Sequence, residues 1–263
     1  NDGGQDDPQP VLGLDSSQDW ALVGPWSTDR SYSRNAFVYA LSNRIGRWAP
    51  RTRFVETFVN TNNDGLDATD YHGIAVLTDR LKIGPDRINI ASLSTSDVTA
   101  PDITGGYVFK FDPVPDPEHY NFITDHGIPV PGNDSTALVI DSPKLSKLAP
   151  AQRDYIRGYI QQMENSLFDA QAADYGNRAF LDYIDLPSWV DHHLLEVFVG
   201  NVDGLYHSDY FYKDRGGKIV AGPAWDFDGS MGNGDDRNAK WDTWDTNGGR
   251  DVWGYGWWGP LSH

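Results

Sequence analysis

The stretch that decides the fold is NVDGLYHSDYFYKDRGGKIVAGPAWDFDGSMGN, from Asn201 to Asn233. Its runs SDYFYKD and KIVAGPAWDFD have the composition of short strands, and the turn RGG between them predicts a β-hairpin. Asp203 precedes this hairpin, and Asp226 and Asp228 follow it. Carboxylates at strand ends add little to a core, but they are the hard oxygen ligands that divalent cations prefer. The pattern therefore predicts a metal site around the hairpin.

Composition excludes several classes of site and partner. The chain has 263 residues, a net charge of −17 and no cysteine. Disulfides, thiolate nucleophiles and zinc–thiolate sites are therefore excluded. The negative field repels nucleic acid and anionic membranes, so we expect no nucleic-acid partner, and no apolar run is long enough to span a bilayer. High acidity also suits a secreted or salt-adapted protein, although a merely soluble surface explains it equally well.

The order of predicted elements indicates an α+β fold. We expect residues 1–10 to be a linker or mature N-terminus, followed by one domain at 11–263 that is incomplete at both ends. Residues 11–145 form a β-rich lobe in this interpretation, and residues 146–263 form a helical lobe that carries the hairpin. Strands are predicted at 19–26, 53–60, 73–79, 105–112 and 137–143, and helices at 31–45, 150–169 and 187–199. Residues 113–134 are predicted to be a loop.

Periodicity also predicts which face of each helix is buried. In the first helix the apolar positions are Phe37, Ala40, Leu41 and Ile45. In the second they are Tyr155, Ile156, Tyr159, Ile160, Met163 and Leu167. In the third they are Trp189, Val190, His193, Leu194, Val197 and Phe198.

The third helix, the Asp203 loop and the hairpin follow one another in the layout of the catalytic half of kinases. There, a loop aspartate orients the acceptor hydroxyl, a residue five places later binds magnesium, and an aspartate after the hairpin binds the metal that bridges the phosphates. The corresponding residues are Asp203, Ser208 and Asp226. Asp228 points the same way as Asp226 in an extended segment and could share the metal. Spacing alone is a weak signal, because acids at loop ends are common.

Six segments, which together cover most of residues 19–233, add a resemblance to a known family. They are DWALVGPWSTDRSYSRNAFVYALSNRIGRWAPRTRFVETFVN, GIAVLTDRLKIGPDRINI, GGYVFKFD, LAPAQRDYIRGYIQQMENSLFD, YIDLPSWVDHHLLEVFVGNVDG and SDYFYKDRGGKIVAGPAWDFDGSMGN. In this order they resemble the CotH (spore coat protein H) kinase family of atypical secreted protein kinases.

The resemblance implies a reduced, kinase-like two-lobe fold. It also implies transfer of the γ-phosphoryl group of ATP to Ser or Thr of an extracellular or surface protein. ATP and Mg²⁺ would be the cofactors, with Mn²⁺ or Ca²⁺ as alternatives, and the chain would be secreted or at the cell surface. The partners would be a nucleotide and a protein substrate.

The resemblance also implies residue roles. Asp203 in NVDG would be the catalytic-loop aspartate, and Asp226 in WDFD the metal-binding one. Ser208 takes the place of the usual asparagine at the magnesium site, and Asp228 is an additional metal candidate.

Five further residues are candidates for contact with the nucleotide. Asn201 and His207 belong to the catalytic loop, where a protonated histidine could contact a phosphate. Lys110 and Lys82 are the best local candidates for a cation that binds a phosphate. Asp79 stands where the family has the glutamate of the TEK motif, one methylene longer, which puts a salt bridge to a nucleotide-binding lysine in doubt.

Other readings stay open. The family's Arg-Gly-Asn-Ser stretch and a lysine-rich strand are absent upstream, so a pseudokinase is an alternative. A non-catalytic extracellular module could bind calcium through Asp226 and Asp228 with Ser230, Asn233 and Asp235, and glycans through the Trp-rich tail. A glycoside hydrolase would need two carboxylates across a sugar-binding cleft. Arg34 and Asn35 could position a phosphate or the catalytic loop, or cap the first helix.

Overall fold

The computed structural model describes residues 8–17, 19–62, 64–114, 116–127, 136–233 and 256–261. In these residues the strands are β1 (Trp20–Val23), β2 (Thr52–Phe58), β3 (Tyr71–Asp79), β4 (Tyr107–Asp112), β5 (Tyr120–Phe122), β6 (Ala137–Ser142), β7 (Asp209–Lys213) and β8 (Ile219–Ala221). The α-helices are α1 (Arg34–Arg44), α2 (Pro150–Ala172), α3 (Leu186–Val199) and α4 (Trp258–Leu261). The strands of both sheets pair antiparallel, and α2 and α3 follow one another without a strand between them, so the fold is α+β, as predicted.

A three-stranded antiparallel sheet has the order β1-β3-β2. The pairing of β2 with β3 confirms the predicted long hairpin, with Thr52 opposite Thr78 and Phe54 opposite Val76. Because side chains alternate across a strand, these residues lie on the same face of the sheet. Thr52, Val76 and Thr78 on that face line the cleft described below.

A five-stranded antiparallel sheet has the order β5-β6-β4-β7-β8. Its central strand β4 pairs with β7 of the hairpin, with Phe109 opposite Phe211. The sheet therefore contains strands from both sides of position 145, and the predicted lobe boundary does not coincide with a boundary between sheets. Strand β5 lies within residues 113–134, which were predicted to be a loop. It has only three residues, too few for a periodicity to reveal it.

The main core lies between the five-stranded sheet and the helices of the back half. Phe109, Phe111 and Phe211 are fully buried in it, and Ile156 and Ile160 of α2 pack against the same cluster. Burial of each large apolar side chain contributes about 1.5–3 kcal/mol. The predicted inward positions of α2 at 156, 160, 163 and 167 are all buried, which confirms that helix face.

The C-terminal tryptophans that the structure describes belong to this core. Trp257 and Trp258 are 0% and 2% exposed, and the Trp257 ring packs against Phe111 with ring centroids 4.6 Å apart. The Trp257 indole N–H donates to Glu164, and that of Trp258 donates to Asp209. These two rings cannot stack on a glycan. The tail residues 234–255 lie outside the described residues.

The predicted buried face of α1 is wrong. Phe37 and Ile45, assigned to the core by periodicity, are about half exposed, whereas Val38 and Tyr39 are buried. Val38, Tyr39 and Phe227 belong to a small second core that joins α1 to the segment after β8. This helix therefore packs against the end of the hairpin segment rather than against the main core.

In the predicted buried face of α3, Trp189 is 1% exposed, as predicted, but the other five positions are exposed or only partly buried. Leu194 and Phe198 are 57% and 60% exposed, while Ser188, His192 and Glu196 are buried at four-residue intervals. Buried polar groups are stable only when they are hydrogen-bonded. Ser188 donates to the carbonyl of the N-cap Asp185 and accepts the Ala221 N–H of β8, and His192 contacts Asp209 of β7.

Among the helices that the structure describes, none combines the length and the hydropathy that a bilayer crossing needs.

Candidate active site

The catalytic-loop candidates lie directly after α3. The helix ends at Gly200, whose φ of 56° is in the left-handed region, and the chain then turns back over the helix end. The Asn201 carbonyl oxygen of the side chain accepts from the Asp203 backbone N–H at 3.4 Å. Tyr206 donates its hydroxyl to the Asp203 carboxylate at 3.3 Å. These contacts define a compact loop with Asp203 held at its surface.

This loop meets the segment that carries the other two acids. A β-carbon built on Gly229 would lie 3.3 Å from Asp203 Oδ2 and 3.8 Å from Asn201 Oδ1. The glycine therefore lets the Asp203 loop approach the residue that follows Asp228. Positions 26 residues apart in the sequence are neighbours in the fold.

Ser208, Asp226 and Asp228 lie close together. The Ser208 side chain and the Asp228 carboxyl are both near enough to the Asp226 carboxyl to affect its pKa. Burial raises the pKa of Asp226, and repulsion from the Asp228 charge raises it further, while Ser208 and the nearby His207 oppose the rise. Two carboxyls this close repel each other when both are ionised, and a cation between them removes that repulsion.

The donor set can be compared with the needs of particular metals. Within the described residues, no group of three or more His, Cys, Asp or Glu side chains could hold a metal ion. An all-protein cage of carboxylates is therefore not present there. Magnesium commonly binds through one or two carboxylates, with waters and substrate phosphates completing its octahedron. Asp226, Asp228 and the Ser208 hydroxyl fit that kind of site.

The predicted calcium ligands fit less well. Ser230 is fully buried and donates its hydroxyl to the Phe227 carbonyl at 2.6 Å. The Asn233 amide nitrogen donates to the carbonyl oxygens of Asp228 and Thr28. Both side chains are engaged in closing the loop itself, and Asp235 lies outside the described residues.

A cleft of about 280 Å³ separates the three-stranded sheet from the acidic segment. Its sheet side presents Thr52, Val76 and Thr78, and its opposite side presents Trp225, Asp226 and Asp228. Ligand pockets are commonly about 300–1,000 Å³, so the cleft is at the small end of that range. The position, between a sheet and a pair of carboxylates, suits a ligand that carries both an apolar ring and a metal-binding group.

The charge of the cleft is negative. Of the described residues that line it, three are aspartates, Asp29, Asp226 and Asp228, and none is lysine or arginine. Burial acts to raise the pKa of Asp29, but hydrogen bonds from Ser31 and Arg34 lower it, so this acid is ionised at neutral pH. A polyphosphate could enter such a cleft only together with positive charge.

The candidate phosphate-binding lysines do not line this cleft. Lys82 is half exposed and pairs with Asp19. Lys110 pairs with Asp112 at 2.6 Å, and its ammonium lies 5.5 Å from the centroid of the Tyr210 ring. Each lysine is therefore neutralised by a local aspartate in the arrangement that the structure describes.

Asp79 is fully buried but pairs with arginines rather than with a lysine. Arg51 contacts it at 2.8 Å and Arg87 at 3.0 Å. The negative charge of Asp79 is thus balanced by two arginines, and their guanidinium groups connect the end of β3 to the segments on either side of it.

His207 lies near Asp226, close enough for its charge to lower the pKa of Asp226.

Helix α1 contributes residues whose part in this region the sequence left open. Arg34 pairs with Asp29 and donates from Nε to the Ser230 carbonyl at 2.9 Å. Asn35 accepts the Phe227 backbone N–H at 2.6 Å. Asp29 also accepts the Arg34 backbone N–H, so capping of the helix and positioning of the acidic loop occur together.

A buried acid beneath the Asp203 loop was missed by the sequence analysis. Glu196 on α3 is 4% exposed, and a β-carbon built on Gly204 would lie 2.2 Å from its Oε2. Burial raises the pKa of Glu196 to about 8, against the opposing effects of His192 and of a hydrogen bond with Asn201. Glu196 follows His192 by four residues, so the two side chains lie on one face of the helix. The apolar stripe predicted for α3 lies on a different face, and for that reason the pair was not predicted to be buried.

Comparison with known proteins agrees with this arrangement of elements. A sequence model described as CotH kinase protein matches residues 1–262, essentially the whole chain. No curated protein matches the chain. Because the family model covers far more than half of the sequence, the chain belongs to the CotH kinase family.

Proposed function

We propose that the protein is an atypical protein kinase that transfers the γ-phosphoryl group of Mg-ATP to a Ser or Thr hydroxyl of an extracellular or surface protein. One observation carries the proposal. The Asp226–Asp228 pair lines a cleft opposite the three-stranded sheet, and the Asp203 loop lies against the residue that follows the pair. This arrangement supports the proposal, because phosphoryl transfer needs metal ligands next to a carboxylate that orients the acceptor hydroxyl.

The residues take distinct roles in this proposal. Asp226, Asp228 and Ser208 would hold Mg²⁺, which when bound neutralises the charge on the transferring phosphoryl group. Asp203 would orient the acceptor hydroxyl and accept its proton. The sheet face with Val76 would contact the nucleotide base, and Trp225 would close the opposite side.

Because the cleft is acidic, a nucleotide can bind there only together with positive charge. With Asp226 and Asp228 on one side and no lysine or arginine among the described lining residues, an unaccompanied triphosphate would be repelled. We therefore expect ATP to bind tightly only as its metal complex. Isothermal titration with ATP in the presence of EDTA, followed by titration with Mg-ATP, tests this requirement directly.

The decisive experiment compares three variants in titration and in phosphate transfer from labelled ATP to a generic acceptor. Asp226→Asn should weaken Mg-ATP binding by about tenfold or more, because a metal ligand is lost. Asp203→Asn should keep nucleotide binding and slow transfer by about 10²-fold or more. Asp86→Asn, at an exposed loop position, is the matched control. Equal behaviour of all three variants would overturn the proposal.

The same kind of titration, carried out with calcium, tests the alternative function of a non-catalytic calcium module. That function predicts calcium affinity that is indifferent to nucleotide. The engagement of Ser230 and Asn233 within their own loop gives it no support. A kinase that has lost activity would instead bind Mg-ATP without transferring phosphate.

A further inference from the structure

Asp226 has a backbone conformation that needs an explanation. Its φ is 65°, in the left-handed region that favours glycine, and Ser208 beside it has a φ of 53°. Non-glycine residues persist in sparsely populated conformations only when the surroundings fix them. The residues that fix Asp226 therefore also fix the direction of its carboxylate.

Helix α1 supplies two such constraints from consecutive turns. Tyr39 accepts the Asp226 backbone N–H on its hydroxyl oxygen at 3.2 Å, and Asn35 accepts the Phe227 N–H at 2.6 Å. Asn35 and Tyr39 are four residues apart, so they lie on the same face of the helix. Two successive peptide groups at the conformationally strained position are therefore held by one rigid helix.

The packing around these bonds keeps α1 and the loop together. Tyr39 is 4% exposed, and its ring stacks on Trp225 with centroids 6.1 Å apart. Phe227 is fully buried beside Val38 in the second core cluster. The hydroxyl of Tyr39 thus reaches the Asp226 amide from a ring that has no freedom to turn away.

We propose that Asn35 and Tyr39 are positioning residues that hold Asp226 in its left-handed conformation and thereby set the metal affinity of the site. The inference rests on the proposed function for its second half, the metal affinity. Its first half, the fixed conformation of the loop, stands on the hydrogen bonds alone. Neither side chain needs to touch the metal, since each acts through the backbone of residues 226 and 227.

The test uses Mn²⁺ alone as the probe and measures its affinity for the whole chain. Asn35→Ala and Tyr39→Phe each remove one acceptor and should weaken Mn²⁺ binding about three- to tenfold. Asn35→Asp keeps an acceptor for the Phe227 N–H and should restore loop order. Asn43→Ala is the structural control, because Asn43 bonds to Tyr39 and Ala49 backbone atoms and stabilises the helix end without contacting the loop.

Amide hydrogen exchange of the peptide that contains residues 226–230 provides a second readout. Exchange should accelerate in Asn35→Ala and Tyr39→Phe, return towards the parent rate in Asn35→Asp, and stay unchanged in Asn43→Ala. If Asn35→Ala and Asn43→Ala lose thermal stability alike and match in both Mn²⁺ affinity and exchange, the positioning role is refuted. If the unmodified protein binds no Mn²⁺, the proposed function and the affinity claim both fail, and exchange alone decides the conformational claim.

Discussion

Gly204 lies where the Asp203 loop crosses the buried acid of α3, and Gly204→Ala should damage both stability and binding. The new β-carbon would lie 2.2 Å from Glu196 Oε2, 2.8 Å from its Cδ and 3.3 Å from Asn201 Nδ2. Carbon and oxygen atoms in contact are normally more than 3 Å apart, so one of these groups must move. Glu196 is buried, and there is little free volume into which its carboxyl group can withdraw.

The magnitude follows from the cost of overpacking. Forcing extra volume into a packed site typically costs about 1–3 kcal/mol. For a chain of this size, each kcal/mol lowers the melting temperature by about 2–4 °C. Because Asn201 also borders the new methyl group, we expect the loop that carries Asp203 to shift and Mg-ATP binding to weaken as well.

The assay is thermal and urea unfolding of four proteins that form a double-mutant cycle. Glu196→Ala removes the obstructing carboxyl, so Gly204→Ala should be nearly neutral in that background, with a coupling energy of about 1–3 kcal/mol. Gly84→Ala is the control, because a β-carbon there meets nothing within 4 Å. The reasoning is refuted if Gly204→Ala unfolds within about 0.5 kcal/mol of the control.

Three other perturbations have defined outcomes. Gly105→Ala would place a β-carbon 2.0 Å from the Asp214 carbonyl carbon. Because backbone atoms cannot move aside, the free energy of unfolding should fall by more than about 3 kcal/mol. A urea stability close to that of the parent protein would contradict this. Glu196 has a folded pKa of about 8, so stability is lost as pH rises from about 4.5 towards 8, at up to about 1.4 kcal/mol per pH unit. Glu196→Gln should abolish that decline, and identical pH profiles would disprove the assignment. The raised pKa of Asp226 likewise removes stability as pH rises through it, so metal-free Asp228→Asn should be more stable than the parent at pH 7, by on the order of 1 kcal/mol. Millimolar Mg²⁺ should raise the melting temperature of the parent more than that of this variant, and an equal rise would count against the metal site.

The order of most elements and the identity of the candidate acids can be predicted from local sequence patterns. The hairpin, helix α2 and the β2–β3 pair follow from periodicity and turn residues, which act within a few residues of the chain. Ser208 and Asp228 lie close to the Asp226 carboxyl, and the Asp203 loop lies against the residue that follows Asp228. Their catalytic roles remain predictions.

Only the tertiary structure decided which helix faces are buried near the site. Periodicity predicted that Leu194 and Phe198 are buried, but both are exposed. Ser188, His192 and Glu196 face inwards instead, because β8, β7 and the Asp203 loop supply hydrogen-bond partners for them. Those partners lie far along the chain, and no local pattern records them. The lysines were chosen for their charge, yet each is paired with an aspartate of its own neighbourhood. A charge in a sequence shows what a residue can bind, whereas its partner is fixed only when the chain has folded.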